Sequence, residues 1–388
     1  MKELVSPPDS ARPEHALLLA AARSALRPAV RAEPPPGEVD WDAFLALAAR
    51  NRLLPLAHRL LADRAEVPGT VRSRLRAAAA DAGHRALARA GELRRLIGAM
   101  DAAGVRAVAY KGPALAVRAY GDLALRTYAD LDLLVAPEDV AGAARVLEGR
   151  GYVSAHRFSP AQDAVFRRTD GDYPFHHPRT AALVELHCHV SSARFCVRLP
   201  TAQLIARARP VPIGGGQVPA LADDDLFLAL CLHGAKHRWA RLEWLTAAAA
   251  LALRAGLELE AIHRRASAIG AGRTVRLALL LARDALGLAP PPSTQRSISA
   301  DATLAALAAE ARALWFAAPA EDGTAANLRF NYRLREGAAD RARYAARWLF
   351  TPSPEDWAWA CLPDALSPLY RALRPLRLAL RYGPRRGG

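Results

Sequence analysis

Two aspartates, Asp130 and Asp132, lie in the apolar run ADLDLLV at residues 129–135. In a β-strand, side chains two residues apart face the same side, so both carboxylates point to one face while Leu131 and Leu133 pack on the other. Two carboxylates this close repel each other, and Mg²⁺ offsets such repulsion while keeping water and substrate phosphates as further ligands. The pattern therefore indicates a metal site. The alternative is a sheet edge whose aspartates face solvent.

A third carboxylate, Glu185, lies in another apolar run, LVELH at residues 183–187. If this strand neighbours the first, Glu185 joins Asp130 and Asp132 on one sheet face, where three carboxylates can hold two metal ions. We therefore predict that these three residues are both the metal ligands and the catalytic residues, with two Mg²⁺ ions. His187 shares the strand face of Glu185 and is expected at the mouth of the site. The alternative is that Glu185 is a paired surface residue.

A phosphate-binding segment is predicted at Tyr110–Pro113, between the first strand of the sheet and a helix. Gly112 lets the backbone approach a phosphate, and the free N–H groups of a helix start bind one. Lys111 adds a positive charge, and it is one of only three lysines in a chain with 53 basic residues. The segment is neither a GxxxxGK[ST] loop nor a GxGxxG loop, so by itself it does not identify a nucleotide-binding family.

A predicted helix over about residues 223–237 carries His233, Lys236 and His237. Residues four apart share a helix face, so both histidines point the same way. Gly234 stands where the zinc protease motif HExxH needs glutamate, which disfavours a metalloprotease. We predict that His233 and Lys236 contact phosphate or substrate from the helical region. The alternative is a pair of buried, hydrogen-bonded histidines beside a lysine that faces solvent.

The elements that must position these residues fall into four segments of different periodicity. They are 1–103 (N-terminal helical region), 104–221 (α/β core), 222–349 (C-terminal helical bundle) and 350–388 (basic C-terminal tail with one helix). The first segment includes a long helix over about 68–103, with Leu87 on its inner side, and the second includes a hairpin region at 160–180. The predicted fold class is α+β, with a mixed sheet between N-terminal and C-terminal helical domains.

The composition is that of a globular protein, because 52% of the 388 residues are hydrophobic and 23% are charged. No uncharged apolar run reaches 18 residues, so no membrane span is predicted. No signal peptide is visible, and the four cysteines lie far apart without a CxxC pair, so a cytoplasmic protein is expected. The net charge of +15 favours anionic partners, but the basic residues are spread along the chain, so nucleic acid is not an expected partner.

A strand followed by Lys-Gly and a helix, then an Asp-x-Asp strand, then a strand with a lone glutamate resembles the nucleotidyltransferase fold of the DNA polymerase beta superfamily. More specifically, KGPALAVRAYGDLALRTYADLDLLV followed by a helix, RGY and VELH is similar to a bacterial family of uncharacterised nucleotidyltransferases. Some members of that family are encoded with peptide natural-product pathways. The resemblance is closest over residues 104–190 and extends loosely through NRLLPLAHRL, LCLHGAKHRWARLEWL and LYRALRPLRL, so it covers most of the chain.

The resemblance implies a Mg²⁺-dependent nucleotidyltransferase. Such an enzyme would transfer NMP, or a related phosphoryl unit, from an NTP such as ATP to an unknown acceptor, a small molecule or a peptide in a biosynthetic pathway. Asp130 and Asp132 would bind both metals, and Glu185 would complete the site as the third carboxylate. The alternative from another class is a catalytically weak protein that binds nucleotide or peptide within a biosynthetic complex.

The resemblance also implies a phosphate site, in which this chain departs from the superfamily pattern. Gly112 and the start of its helix would hold the triphosphate, with Lys111 and Arg126 as the basic residues beside it. Pro113 replaces the small serine or glycine of the wider superfamily, so it offers neither a hydroxyl nor an N–H. The separation between Gly112 and Asp130 is also longer than the superfamily norm, although it is similar to that in the uncharacterised family.

Overall fold

The computed structural model describes residues 12–27, 37–317 and 324–382, and it begins with helices, as predicted. These helices are α1 (Pro13–Arg23), α2 (Trp41–Arg50), α3 (Leu54–Leu61) and α4 (Gly69–Ala102). Asp40 caps α2, because its side chain accepts a hydrogen bond from the backbone N–H of Ala43. The corner between α2 and α3 matters for the site, since residues there reach the central cavity.

A mixed sheet and its connecting helices follow the N-terminal helices. The strands are β1 (Val108–Ala109), β2 (Asp130–Leu134), β3 (Val153–Ser154), β4 (Asp172–His176), β5 (Leu183–His187), β6 (Arg209–Ile213) and β7 (Gly216–Ala220). The helices between them are α5 (Gly112–Tyr120), α6 (Val140–Gly149), α7 (Pro160–Thr169) and α8 (Thr201–Ala206). Within the described residues the sheet has seven strands, in the order β3-β4-β5-β2-β1-β7-β6. The predicted α+β class with a mixed sheet is confirmed.

The centre of the sheet places the candidate carboxylates side by side. β2 runs parallel to β5 and antiparallel to β1. The register pairs Asp132 with Glu185 and Asp130 with Leu183. Leu131, on the opposite face of β2, is fully buried. A shift of one residue would turn the leucines towards the polar cavity and the carboxylates into the apolar core, so burial of the apolar face fixes this register.

Helices follow the sheet to the end of the described chain. They are α9 (Asp223–Lys236), α10 (Leu242–Arg254), α11 (Leu259–Ala268), α12 (Gly272–Leu286), α13 (Pro292–Ser299), α14 (Ala302–Phe316), α15 (Thr324–Arg333), α16 (Ala338–Phe350), α17 (Pro354–Trp359) and α18 (Tyr370–Tyr382). Acidic residues occupy the first turn of α9, where they suit the positive end of the helix dipole. Among the described residues, no helix combines the length and the apolar character that a bilayer crossing demands.

The helices that precede the sheet in the chain and those that follow it share one core. Leu56 on α3, Leu228 on α9 and Leu277 on α12 belong to one contiguous cluster of buried side chains. A second cluster, which includes Leu131 and Val184, covers the apolar face of the sheet. The N-terminal and C-terminal helices therefore pack on each other, and the polar face of the sheet lies beside them. The predicted domain boundaries stay predictions.

Two local predictions are wrong. The hairpin region expected at 160–180 begins with a helix, α7, because Ser159 and Gln162 form a reciprocal capping box that starts it. Leu87 is 63% exposed and does not face the core. The buried face of α4 passes through Ala86, and the next residue lies about 100° further around a helix.

Candidate active site

A cavity of about 510 Å³ opens over the polar face of β2 and β5. Its other walls come from the start of α5, from α9 and α10, and from Arg52 at the corner between α2 and α3. The lining includes these predicted site residues: Lys111, Arg126, Asp130, Asp132, Glu185, His233 and Lys236. Gly112 lies next to Lys111, at the start of α5. The fold therefore brings residues from the sheet and from both groups of helices to one place.

The carboxylates converge on the sheet side of the cavity. The Asp132 side chain is 2% exposed and that of Glu185 is 40% exposed. His187 Nε2 lies 3.3 Å from Asp132 Oδ1 and 3.3 Å from Glu185 Oε2. One ligand atom from each of these three residues lies within 4.8 Å of the others. Asp130 lies two residues before Asp132 on the same strand face, and the cluster is compatible with metal binding.

Burial and neighbouring charges shift the pKa values of the residues in this cluster. Burial raises the pKa of Asp130, and the charges of Asp132 and Glu185 raise it further. Burial also acts to raise the pKa of Asp132, but Lys111 and His187 together lower it well below its usual value. Contact with His187 lowers the pKa of Glu185. Burial acts to lower the pKa of His187, but its contacts with both carboxylates outweigh burial and raise it.

Lys111 is the cation closest to these carboxylates. Its Nζ lies 2.6 Å from Asp132 Oδ1, and its side chain is only 10% exposed, so it points into the cavity and not into bulk solvent. Gly112 has a φ of +56°, in the left-handed region that favours glycine. A Cβ at this position would lie 3.5 Å from the backbone oxygen of Asp130. The turn therefore places the start of α5 close against the carboxylate strand.

Arg126 lines the cavity from the loop that enters β2, and its binding role stays a prediction. It is buried, and its Nε donates to Glu243 Oε1 at 2.7 Å. Glu243 lies in the first turn of α10 and is also buried. The second nitrogen of the guanidinium, Nη1, is buried without a hydrogen-bond partner in the ranges that the structure describes. Sequence reasoning missed Glu243, although a lone carboxylate in the apolar run LEWL was a visible signal.

The two histidines at the end of α9 form an uncharged wall. The ring centroids of His233 and His237 are 4.9 Å apart, and each ring contacts Trp244. Burial lowers the pKa of His233 well below its usual value and that of His237 to about 3. Both rings are therefore neutral at pH 7. Lys236 lies beside them with Nζ 4.0 Å from Asp172 Oδ2, and the binding roles of His233 and Lys236 stay predictions.

Some lining residues were not predicted from the sequence. Asp172 on β4 pairs in register with His187 and so joins the same sheet face. It was missed because its segment was expected to be a hairpin region. Arg52 and Arg241 also line the cavity. They lie in NRLLPLAHRL and LCLHGAKHRWARLEWL, two segments that resemble the family, but neither segment carries a motif that indicates a binding site. Only the folded chain brings them to the carboxylate strands.

Fold and site together define an α+β protein with a carboxylate and histidine cluster in a cavity between its sheet and its helices. The chain belongs to the uncharacterised nucleotidyltransferase family, because the model of that family matches residues 37–287, from the start of α2 to the end of α12. It is therefore an enzyme of the nucleotidyltransferase class, whose substrates include an NTP. No curated protein and no solved structure matched the chain.

Proposed function

We propose that this chain is a Mg²⁺-dependent nucleotidyltransferase of the DNA polymerase beta superfamily that transfers NMP from an NTP to an acceptor hydroxyl. The observation that carries the proposal is the register of β2 and β5, which sets Asp132 directly beside Glu185 with Asp130 on the same face. The family match supports nucleotidyl transfer as the reaction class.

The donor set fits a hard divalent cation. Asp130, Asp132 and Glu185 offer carboxylate oxygens, the ligands that Mg²⁺ prefers. The pKa of Asp130 is raised by burial and by its two carboxylate neighbours, so an added cation would relieve repulsion there. When bound, two ions would neutralise charge on the reacting phosphate and lower the pKa of the acceptor hydroxyl. The three carboxylates would hold them, and His187 contacts two of those carboxylates, Asp132 and Glu185.

The remaining residues of the cavity would position the substrates. Lys111 supplies a buried positive charge at the start of α5, where a phosphate is expected. His233 and His237 are neutral and can accept or donate hydrogen bonds without adding charge. The acceptor would lie between the sheet and the helices, near Asp172 and Lys236, because this side of the cavity adjoins Glu185. A small molecule or a peptide side chain of a biosynthetic pathway is the acceptor class that we propose.

One observation favours the second function, a protein that binds nucleotide but transfers it poorly. Lys111 and His187 already contact Asp132, and His187 also contacts Glu185. A carboxylate cluster held by other side chains of the same chain can be stable without a metal ion. The two functions differ in one product, since only the enzyme releases pyrophosphate from an NTP.

The test is to incubate the purified protein with each NTP, Mg²⁺ and candidate acceptors, and to search for products by mass spectrometry. We expect pyrophosphate release and an acceptor that gains the mass of an NMP, and both should disappear with EDTA and with Glu185→Gln. Glu138→Gln is the matched control, because Glu138 is an exposed carboxylate just beyond β2. Nucleotide binding without pyrophosphate release across the acceptor panel would overturn the proposal in favour of the binding protein.

A further inference from the structure

Two arginines of the cavity have no acidic partner, unlike the other basic side chains that line it. The partnered pairs are Lys111 with Asp132, Arg126 with Glu243, Lys236 with Asp172 and Arg238 with Glu310. Within residues 12–27, 37–317 and 324–382, Arg52 and Arg241 have no carboxylate oxygen within 4.0 Å. Arg241 lies over the ring of Trp244, with the guanidinium carbon 5.4 Å from the ring centroid. Both arginines are half-buried.

A buried asparagine, Asn51, holds these arginines together. Its Oδ1 accepts from the backbone N–H of Leu242 at 2.9 Å, and its Nδ2 donates to the backbone oxygen of Trp315 at 2.9 Å. Asn51 directly precedes Arg52, and Leu242 directly follows Arg241. The asparagine therefore fixes the backbone of one arginine beside that of the other, across the junction of the N-terminal and C-terminal helices.

The backbone of Arg52 ends α2. Its φ of +57° lies in the left-handed region, and this is the conformation of a Schellman motif, in which the N–H of Arg52 donates to Ala49 O at 3.0 Å and the N–H of Leu53 donates to Ala48 O at 2.8 Å. The side chain consequently enters the cavity from the corner between α2 and α3. The end of α2 therefore accounts for the backbone conformation, and a half-buried arginine without an ion pair leaves its guanidinium available to an anion in the cavity.

Like charges gather at this end of the cavity. Burial lowers the pKa of Arg52, and the charges of Arg241 and Arg126 lower it further. The carboxylates of Glu243 and Asp130 act in the opposite direction without reversing this shift in pKa. Arg126 contributes the buried Nη1 that lacks a hydrogen-bond partner in the described parts of the chain. Three guanidinium groups that repel one another are stabilised by an anion with several charged oxygens. Their planar forks match phosphate oxygens better than a point charge does.

We propose that Arg52 and Arg241, together with Arg126, form the subsite that binds the β- and γ-phosphates of the NTP. This assignment rests on the proposed function and adds to it a role for the N-terminal helices, which supply Arg52. It also divides the cavity. The carboxylates lie on the sheet side, the arginines lie at the junction of the helices, and the phosphate chain extends from one to the other.

The direct test is calorimetric titration with inorganic tripolyphosphate in EDTA, which removes the metal site from the measurement. We expect binding by the wild-type chain and affinities weaker by about tenfold or more for Arg52→Asn and for Arg241→Gln. Asparagine tolerates the left-handed backbone, so the first variant keeps the corner intact, and thermal unfolding verifies this. Arg76→Gln is the charge-matched control, because Arg76 is exposed on α4 and outside the cavity. Wild-type affinity in both cavity variants would overturn the assignment.

A comparison of ATP with AMP identifies which phosphates are held. Arg52→Asn should weaken ATP binding by about tenfold and leave AMP binding unchanged, because AMP has neither a β- nor a γ-phosphate. An equal loss for both nucleotides would contradict the assignment to the β- and γ-phosphates. The phosphate subsite and the proposed reaction can be rejected independently of each other. Arginine-dependent tripolyphosphate binding without any pyrophosphate release would keep the subsite and reject transfer, whereas transfer with unchanged arginine variants would reject the subsite alone.

Discussion

The ion pair between Lys111 and Asp132 predicts that Asp132→Asn destabilises the protein. Repulsion between Asp130 and Asp132 alone would make this substitution stabilising. The structure reverses the sign, because Lys111 Nζ lies 2.6 Å from Asp132 Oδ1 and the two side chains are 10% and 2% exposed. Removing one partner of a buried pair leaves the other charge buried and uncompensated, which costs about 3–5 kcal/mol. Asp130→Asn, by contrast, removes only a repelled carboxylate and should leave stability unchanged or slightly higher.

A double-mutant cycle measures this pair by urea unfolding in EDTA. Asp132→Asn and Lys111→Met should each lower the free energy of unfolding by about 3 kcal/mol, whereas the double variant should lose much less than their sum. The expected coupling energy is therefore about 3 kcal/mol. Equal denaturant slopes in all four proteins verify that the comparison is valid. Additive losses, or a stable Asp132→Asn variant, would refute the ion pair as the reason for the low pKa of Asp132.

Further predictions concern two residues of the site, Glu243 and His187, and the glycine that ends α5. Glu243→Gln should lower the free energy of unfolding by about 3 kcal/mol, since it leaves the buried guanidinium of Arg126 without its partner; a loss below about 0.5 kcal/mol in urea would contradict this. The pKa of His187 in the folded protein is raised above 6.5. Its contribution to stability is therefore fully present below pH 6.5 and is lost as the pH rises through the pKa of the folded state. His187→Asn should flatten the pH profile of thermal stability over this range. Gly121→Ala should cost about 1–2 kcal/mol, because its φ is +72° and a Cβ there would also lie 2.6 Å from Arg254 Nη2, which must move. Gly69→Ala, in open space, should not destabilise α4. Equal effects of the two substitutions in thermal unfolding would argue against this conformational requirement at the end of α5.

The carboxylate pattern could be predicted from the sequence because it depends only on residues close together in the chain. Alternation along a strand puts Asp130 and Asp132 on one face, and the apolar residues between and after them indicate which face is buried. That β5 lies next to β2 was a hypothesis from the second apolar run around Glu185, and the register now shows it. The assignment of catalytic roles to these residues stays a prediction until a product is measured.

The rest of the site depends on contacts that sequence patterns do not encode. Asn51 and Leu242 are 191 residues apart and meet through one buried hydrogen bond, so nothing near Arg52 indicated a phosphate subsite. Lys111 was expected at the cavity, but its pairing with Asp132 required the relative position of α5 and β2. The start of α7 is a different case, because the capping residues around Ser159 were present in the sequence and the prediction overlooked them.

The most direct test of the central claim is a crystal structure with Mn²⁺ in place of Mg²⁺ and a non-hydrolysable NTP analogue, read by anomalous scattering. We expect anomalous peaks in contact with the carboxylates of Asp130, Asp132 and Glu185, and we expect the distal phosphates to contact Arg52 and Arg241. Two results would contradict the proposal. One is a set of phosphates bound away from Arg52 and Arg241. The other is Lys111 still paired with Asp132, with no anomalous peak beside the three carboxylates.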